Sequence, residues 1–241
     1  MALKLDQLLR ILRDPECPRV LTPVDFQQWL ALSHNELSEA TQKRWLAKMR
    51  EGGLIKPVRR GLFLNALAEP PVQPDEAASY ICRGAIVSLQ KVLGDAGVLN
   101  NFTSWVTCVV ALPSEKKEGE CKAFGFARPS TGKVETKVGS FSFQAMPFTL
   151  VTQAGALDDR LEPLSYQRAT PEKAFLDWIY LGSTPRSHMT LPPLDLDFER
   201  LNPARIARLA KGMGLADALD QWTTAKRAYD HSPGARANAP A

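Results

Sequence analysis

The chain is poor in the residues on which most hydrolases, metalloproteins and disulfide scaffolds are built. Only three of its 241 residues are histidines, His34, His188 and His231, and none stands in an HExxH or comparable frame. The four cysteines, Cys17, Cys82, Cys108 and Cys121, form no CxxC pair and have no histidine at metal-ligand spacing. Neither a zinc site nor a disulfide framework is expected, and the thiols read as reduced and structural. No GxSxG, Walker glycine loop or GxGxxG occurs. Acidic pairs such as Asp158-Asp159 and Asp195/Asp197 invite a metal-site reading, but such pairs more often mark turns and helix caps. The residues offer no positive case for an enzyme, a metal or a cofactor.

Long apolar runs are missing too. The most apolar stretch, 102–112 (FTSWVTCVVAL), carries three Thr/Ser hydroxyls and falls well short of the roughly 18 residues of a membrane span. The first residues, MALKLDQLLRILRD, place charges inside an apolar stripe and offer no small-residue cleavage site, so a signal peptide is not expected. A cytoplasmic protein is expected. With 44% hydrophobic and 23% charged residues, the chain has the composition of a globular protein, long enough for one large or two small domains.

The net charge of +4 is modest, but it is unevenly spread. Residues 1–65 hold eleven Lys/Arg against seven Asp/Glu, 66–199 hold twelve against sixteen, and 200–236 hold seven against three. Two basic ends flank an acidic middle. Within the first block, residues 38–62 concentrate seven cations with only two anions. Such a run suits a polyanion, because neutralising phosphates releases condensed counterions. A solvated helix face is the plainer alternative.

Local patterning gives this basic run a shape. Leu5, Leu8, Leu9 and Leu12 lie at helical spacing within 3–13, and Asp14-Pro15 ends that helix. Thr22-Pro23 opens a second helix, with Thr as cap, Pro pre-shaped for the first helical position, and Phe26, Trp29 and Leu30 on one face. A third helix opens at Ser38, whose hydroxyl suits the Thr41 amide, and runs to about Glu51 before Gly52-Gly53. Its expected inner side is Leu37, Thr41, Trp45, Leu46 and Met49, leaving Glu39, Gln42, Lys43, Ala47 and Arg50 outside and Arg44 and Lys48 near the boundary. Two short apolar strands then flank Arg59-Arg60-Gly61, which reads as a hairpin. Three helices and a hairpin in about 60 residues, with cations on the third helix and the hairpin tip, is the plan of a winged helix-turn-helix. A helix fits the major groove and a wing reaches the neighbouring backbone or minor groove. Thr41, Gln42 and Lys43 are then placed for base edges, Arg44, Lys48 and Arg50 for phosphates, and Arg59 and Arg60 for the minor groove or backbone. Thr41 is also a candidate for burial.

Beyond this segment, 67–75 reads as a proline-rich linker and 76–230 as an α+β domain. Its expected elements are a helix over 76–93, strands over 102–112, 121–128, 133–144 and 147–153, a helix from Thr170-Pro171, and amphipathic helices over 203–213 and 215–229. Lys173 and Asp177, four apart, read as a surface pair worth about 0.3–0.5 kcal/mol. The basic residues Arg205, Arg208, Lys211, Lys226 and Arg227 offer either a second nucleic-acid contact or surface solubility. The segment 231–241 reads as a frayed tail. The fold class is therefore α+β, with an N-terminal winged helix over 1–66 and a mixed C-terminal domain.

Three segments, in order, resemble the AbiEi family, the antitoxin and transcriptional-repressor half of type IV toxin–antitoxin modules. They are Ser38-Glu39-Ala40-Thr41 through Met49-Arg50-Glu51-Gly52-Gly53-Leu54-Ile55 to Arg59-Arg60-Gly61-Leu62-Phe63; the stretch over 77–98 ending Gly94-Asp95-Ala96-Gly97-Val98; and Ala169-Thr170-Pro171-Glu172-Lys173-Ala174-Phe175-Leu176-Asp177. Phe63 stands where a tyrosine is more usual. The resemblance implies an antitoxin that binds its own promoter, represses its operon and counteracts a nucleotidyltransferase-like toxin, without requiring a stable complex with it. The same residues leave room for a winged-helix regulator of another locus, with a ligand-sensing or dimerising C-terminal domain, and for a winged helix used as a protein-docking module.

Overall fold

The computed structural model describes residues 5–32, 38–100, 103–112, 131–158, 166–185 and 187–232. The protein is a mixed α+β structure built on two sheets. The first half contains α1 (Leu5–Arg13), β1 (Val20–Leu21), α2 (Pro23–Leu32), α3 (Glu39–Glu51), β2 (Ile55–Arg59) and β3 (Leu62–Asn65). The helix starts follow from local chemistry. The Thr22 amide donates to Asp25 Oδ2 at 2.8 Å while the Asp25 amide donates back to Thr22 Oγ1 at 3.2 Å, a reciprocal cap at the head of α2. Ser38 caps α3 as its sequence suggests, accepting from the Thr41 amide at 3.4 Å. The short strand β1 has no period to betray it, and only pairing with β3, Val20 opposite Leu64 and Leu21 opposite Phe63, makes it a strand.

The three strands lie in the order β1-β3-β2, all antiparallel. Pro57, which cannot donate to a ladder, sits on the outer strand β2. Alternation sends side chains to two cores. Leu21 and Ile55 join Leu8, Leu12, Phe26, Leu30 and Met49 beneath the helices, whereas Val20, Val58, Leu62 and Leu64 belong to the core of the second half. The small sheet is thus shared between the two halves. Arg19 reinforces the junction with two hydrogen bonds to Glu76, at 2.7 and 3.0 Å, and these hold its guanidinium above its ordinary pKa. The proline-rich stretch expected as a linker leads directly into Asp75, which is buried and paired with Arg168 at 3.1 Å and Lys91 at 3.3 Å.

The second half contains a turn of 3-10 helix (Pro74–Ala77), α4 (Ala78–Ile81), β4 (Ala85–Val87), α5 (Leu89–Asp95), β5 (Trp105–Leu112), β6 (Gly132–Thr136), β7 (Gly139–Pro147), α6 (Phe148–Val151), β8 (Gln167–Arg168), α7 (Pro171–Ser183), α8 (Pro203–Met213) and α9 (Ala216–Asp230). Its five strands run in the order β6-β7-β5-β4-β8, with β5–β7 and β4–β8 parallel and the other pairs antiparallel.

Three expectations need correction here. The single helix over 76–93 is instead two short helical turns, a strand and a second helix. Gly84, at φ 75°, turns the chain, and Ala85–Val87 then forms a wholly buried strand between β5 and β8. The apolar residues at 77, 81, 85 and 89 fit a four-residue period, but 85–87 is a continuous apolar run ending in two β-branched residues, the mark of an interior strand. The single strand over 133–144 is a hairpin, β6 and β7, turning at Lys137-Val138 into Gly139, whose φ of 145° favours glycine. The strand expected over 147–153 is one helical turn after Pro147. The strand expected over 121–128 and most of the tail lie outside the described residues.

Helix α7 is the spine of the second half. Thr170 caps it, Pro171 opens it, and nine of its 13 residues are buried. It packs against α5, α8 and α9, where the Phe175 ring meets Phe198 and Trp222 edge-on at 5.4 and 4.9 Å. Lys173 and Asp177 do pair, but the expected surface setting is wrong: they are 2% and 0% exposed, and the Ser88 hydroxyl donates to Asp177 Oδ2 at 2.7 Å. Burial pushes the Asp177 carboxyl up, opposed by the Lys173 ammonium and the Ser88 hydroxyl.

Candidate nucleic-acid interface

The basic residues singled out in the sequence lie on α3 and on the β2–β3 hairpin that follows it. The inner side of α3 is Gln42, Trp45, Leu46 and Met49, with Gln42 and Met49 buried. This is a strict i, i+3, i+4, i+7 stripe in which Trp45, Leu46 and Met49 are the expected members and Gln42 takes the place expected for Thr41, while Leu37 lies outside the described residues. Gln42, expected to face outward, is only 8% exposed and is corrected to an inward position. A buried amide cannot meet a base edge without leaving the core. Thr41 is half-buried, and its hydroxyl lies 2.9 Å from Ser38 Oγ, so it serves the cap.

Lys43, Arg44, Lys48 and Arg50 are all exposed. Lys43 Nζ pairs with Glu39 at 2.6 Å, four residues before it, and this contact holds the Glu39 carboxyl below its ordinary range. Lys48 Nζ stands 5.3 Å above the Trp45 ring, so an aromatic face fixes this cation while leaving its outer side open. Arg44 and Arg50 complete the exposed basic side.

The hairpin turns at Arg60-Gly61, where Gly61 takes a left-handed φ of 72° that glycine adopts without strain. Arg60 is exposed at the tip. Arg59 is also exposed, but its guanidinium donates to the Tyr80 carbonyl at 2.7 Å, tying the hairpin to the second half. On the outer strand, the Lys137 amide donates to the Val58 carbonyl at 3.0 Å, so the turn of the β6–β7 hairpin abuts β2. The eight residues expected at the interface therefore separate into five on open surface, one bonded to the second half, one in the cap and one in the core.

The basic residues of α8 and α9 are partly committed within the fold. Arg205 donates to the Gly155 carbonyl at 3.0 Å, and Lys226 pairs with Asp230 at 2.7 Å, while Arg208, Lys211 and Arg227 are exposed. Of the histidines, His188 and His231 are exposed and His34 lies outside the described residues. Among the described residues no group of three or more His, Cys, Asp or Glu could hold a metal ion, and no helix is long and apolar enough to cross a membrane. Cys17, Cys82 and Cys108 are buried thiols outside any disulfide, and Cys121 lies outside the described residues.

No family model matches the chain, and no curated protein is significantly similar to it. Among solved structures, the RV2827C protein from Mycobacterium tuberculosis is similar in fold. The TM-score is 0.50 at 14% identity, and the match covers 95% of this chain and 76% of that one. At that identity the likeness concerns the fold alone. It extends over both halves, consistent with a core that the two share.

Proposed function

We propose that the protein is a DNA-binding transcriptional repressor whose first half is a winged helix, α3 serving as the recognition helix and the β2–β3 hairpin as the wing. The observation that carries this reading is the side of α3 turned to solvent. Lys43, Arg44, Lys48 and Arg50 project from a helix that Ser38 caps and a buried stripe anchors. A cationic helix held rigidly at the surface, beside a tight hairpin bearing Arg60, matches the width and charge of a major groove and its backbone. With Gln42 buried, base reading falls to Lys43 and Arg44 near the start of the helix. Either can bond guanine, and each good contact discriminates by about 1–3 kcal/mol. Lys48, Arg50 and Arg60 serve the phosphates.

The ordered resemblance to the AbiEi family extends the proposal: the repressor acts on its own promoter and is the antitoxin of a type IV module, opposing a nucleotidyltransferase-like toxin encoded alongside. No stable complex between the two proteins is needed for this role.

Fluorescence anisotropy tests the DNA reading, using DNA from upstream of the gene against scrambled DNA at several salt concentrations. Selective binding with a steep salt slope is expected. Equal, weak binding to both DNAs would overturn it. The antitoxin role is read separately, by co-expression with the neighbouring nucleotidyltransferase-like protein. Relief of growth arrest is expected, and unrelieved arrest, or the absence of such a neighbour, refutes that role alone.

A further inference from the structure

The five-stranded sheet ends on β6, and none of the described residues pairs with the outer side of that strand. A two-residue turn, Lys137-Val138, closes the β6–β7 hairpin on Thr136 and Gly139. In the alternation of an antiparallel ladder, Gly132, Val134 and Thr136 therefore direct their main-chain groups to β7, and Lys133 and Glu135 direct theirs outward. The next amide beyond them, that of Lys137, is already bonded to the Val58 carbonyl at 3.0 Å. The open edge is thus short, with Val134 at its centre. Lys133 and Glu135 are exposed, and their side chains lie on one face of the sheet. Lys133 Nζ stands 4.9 Å from the centre of the Trp105 ring, and Glu135 accepts from the Ser140 hydroxyl at 2.5 Å, Trp105 and Ser140 being register partners on β5 and β7. Val134, half-buried, packs against the core of the second half.

We propose that β6 pairs antiparallel with β6 of a second copy of this chain, about a two-fold axis at Val134. Main-chain alternation allows a two-fold axis at Lys133, Val134 or Glu135, since each lets outward groups meet outward groups. Charge decides among them. An axis at Lys133 sets lysine against lysine, and one at Glu135 sets glutamate against glutamate. Only the axis at Val134 places Lys133 opposite the partner's Glu135, and Glu135 opposite the partner's Lys133, where directly opposed side chains of opposite sign attract. A lone lysine on an edge strand ordinarily guards against such pairing, and proline does the same. Here β6 has no proline, and its one lysine meets its acid in the partner strand. A five-residue edge buries far less than the roughly 800 Å² per partner of a stable interface, so the pair is transient in the free chain. Paired in this way, two copies carry two α3 helices related by a two-fold axis, the symmetry of a palindromic site.

Disulfide trapping tests the pairing, in a Cys121→Ser chain whose other cysteines are buried. Val134→Cys places a thiol on the axis, where opposed Cα atoms of a non-hydrogen-bonded pair lie about 4.5 Å apart, within disulfide reach. In oxidised glutathione it should form a covalent dimer about tenfold faster than Lys133→Cys or Glu135→Cys alone, because each of those faces the other's position. Mixing the Lys133→Cys and Glu135→Cys chains should restore rapid cross-linking, and both substitutions are at exposed positions that the fold tolerates. Adding Lys133→Glu to Val134→Cys should slow trapping by about tenfold, and adding Glu135→Lys as well should recover it. Equal rates for the three single-cysteine chains, or an exchange of charges that recovers nothing, would overturn the register. Monomer in every case, the mixture included, would overturn the pairing itself. No DNA enters these measurements, so the pairing stands or falls apart from the reading of α3.

Discussion

Replacing Asp177 by asparagine removes one charge and almost no volume, at a site where the setting of that charge decides the outcome. Asp177 is wholly buried and Lys173 is 2% exposed, so the substitution leaves an ammonium group in the core without its counter-ion. Breaking a buried pair in this way costs about 3–5 kcal/mol. The same i, i+4 pair on a helix surface would contribute only about 0.3–0.5 kcal/mol. With a urea dependence of about 2–3 kcal/mol per molar for a chain of this size, the buried setting lowers the unfolding midpoint by about 1–2.5 M. The surface setting would lower it by only about 0.2 M. Equilibrium urea unfolding followed by tryptophan fluorescence reads the difference directly. A complementary variant removes the whole network. Lys173→Met, Asp177→Leu and Ser88→Ala together delete both charges and the hydroxyl that donates to Asp177, and should be near neutral or stabilising. A midpoint shift below about 0.3 M for Asp177→Asn would refute the reasoning, as would a triple variant less stable than the single one.

Four further outcomes follow from the packing. Gly182→Ala should destabilise by about 1–3 kcal/mol, because a Cβ there would lie 2.7 Å from Leu191 Cα and 2.8 Å from the Thr190 carbonyl oxygen. That segment is pinned by hydrogen bonds from the Trp178 and Trp222 indoles to Thr190 and Pro192, so thermal unfolding with an unchanged midpoint would show that it can yield. Gln42→Ala should cost about 1–2 kcal/mol of stability and leave base preference intact; a changed preference with unchanged stability would return Gln42 to the DNA-facing side. Cys17, Cys82 and Cys108 should resist a thiol reagent until the protein unfolds, since all three are buried and burial, with Asp14 nearby, pushes the Cys17 thiol up to about 12; rapid labelling of any of them in the folded state would contradict this. Burial raises the Asp95 carboxyl, but hydrogen bonds from Lys91 and Arg168 outweigh it and hold the group below its ordinary value of 3.8. A depressed carboxylate stabilises the fold at neutral pH and loses that contribution as pH falls through its folded value. Asp95→Asn should therefore lie below the unaltered chain at pH 7 and converge with it as the pH drops below 3.8, and a gap constant with pH would exclude the mechanism.

What the sequence determined by itself are the features whose causes lie within one turn of chain. Thr22, Ser38 and Thr170 announce helix starts because a short hydroxyl side chain can satisfy an amide three residues on. Pro203 and Gly214 bound α8 because one fits the first helical position and the other a left-handed cap, and the helix runs over the 203–213 that those residues imply. The cationic run on α3 was legible as charge, and the α+β class followed from the succession of helical and extended patterns.

Only the tertiary structure decided the rest, because those features depend on partners far along the chain. Burial on both faces between β5 and β8 makes a strand of Ala85–Val87, whose spacing alone also fits a helix. The two-residue β1 exists only through β3. The fully packed surroundings of α7 turn Lys173–Asp177 from a surface pair into a buried one, although the four-residue spacing is the same in either setting. The burial of Gln42 in the place expected for Thr41 is set by how α3 packs with Phe26 and Leu30, since Thr41 and Gln42 are equally plausible neighbours of that core by period alone. Lys137 is brought beside Val58 across 79 residues of sequence by one hydrogen bond between hairpins, and no local pattern encodes a contact of that range.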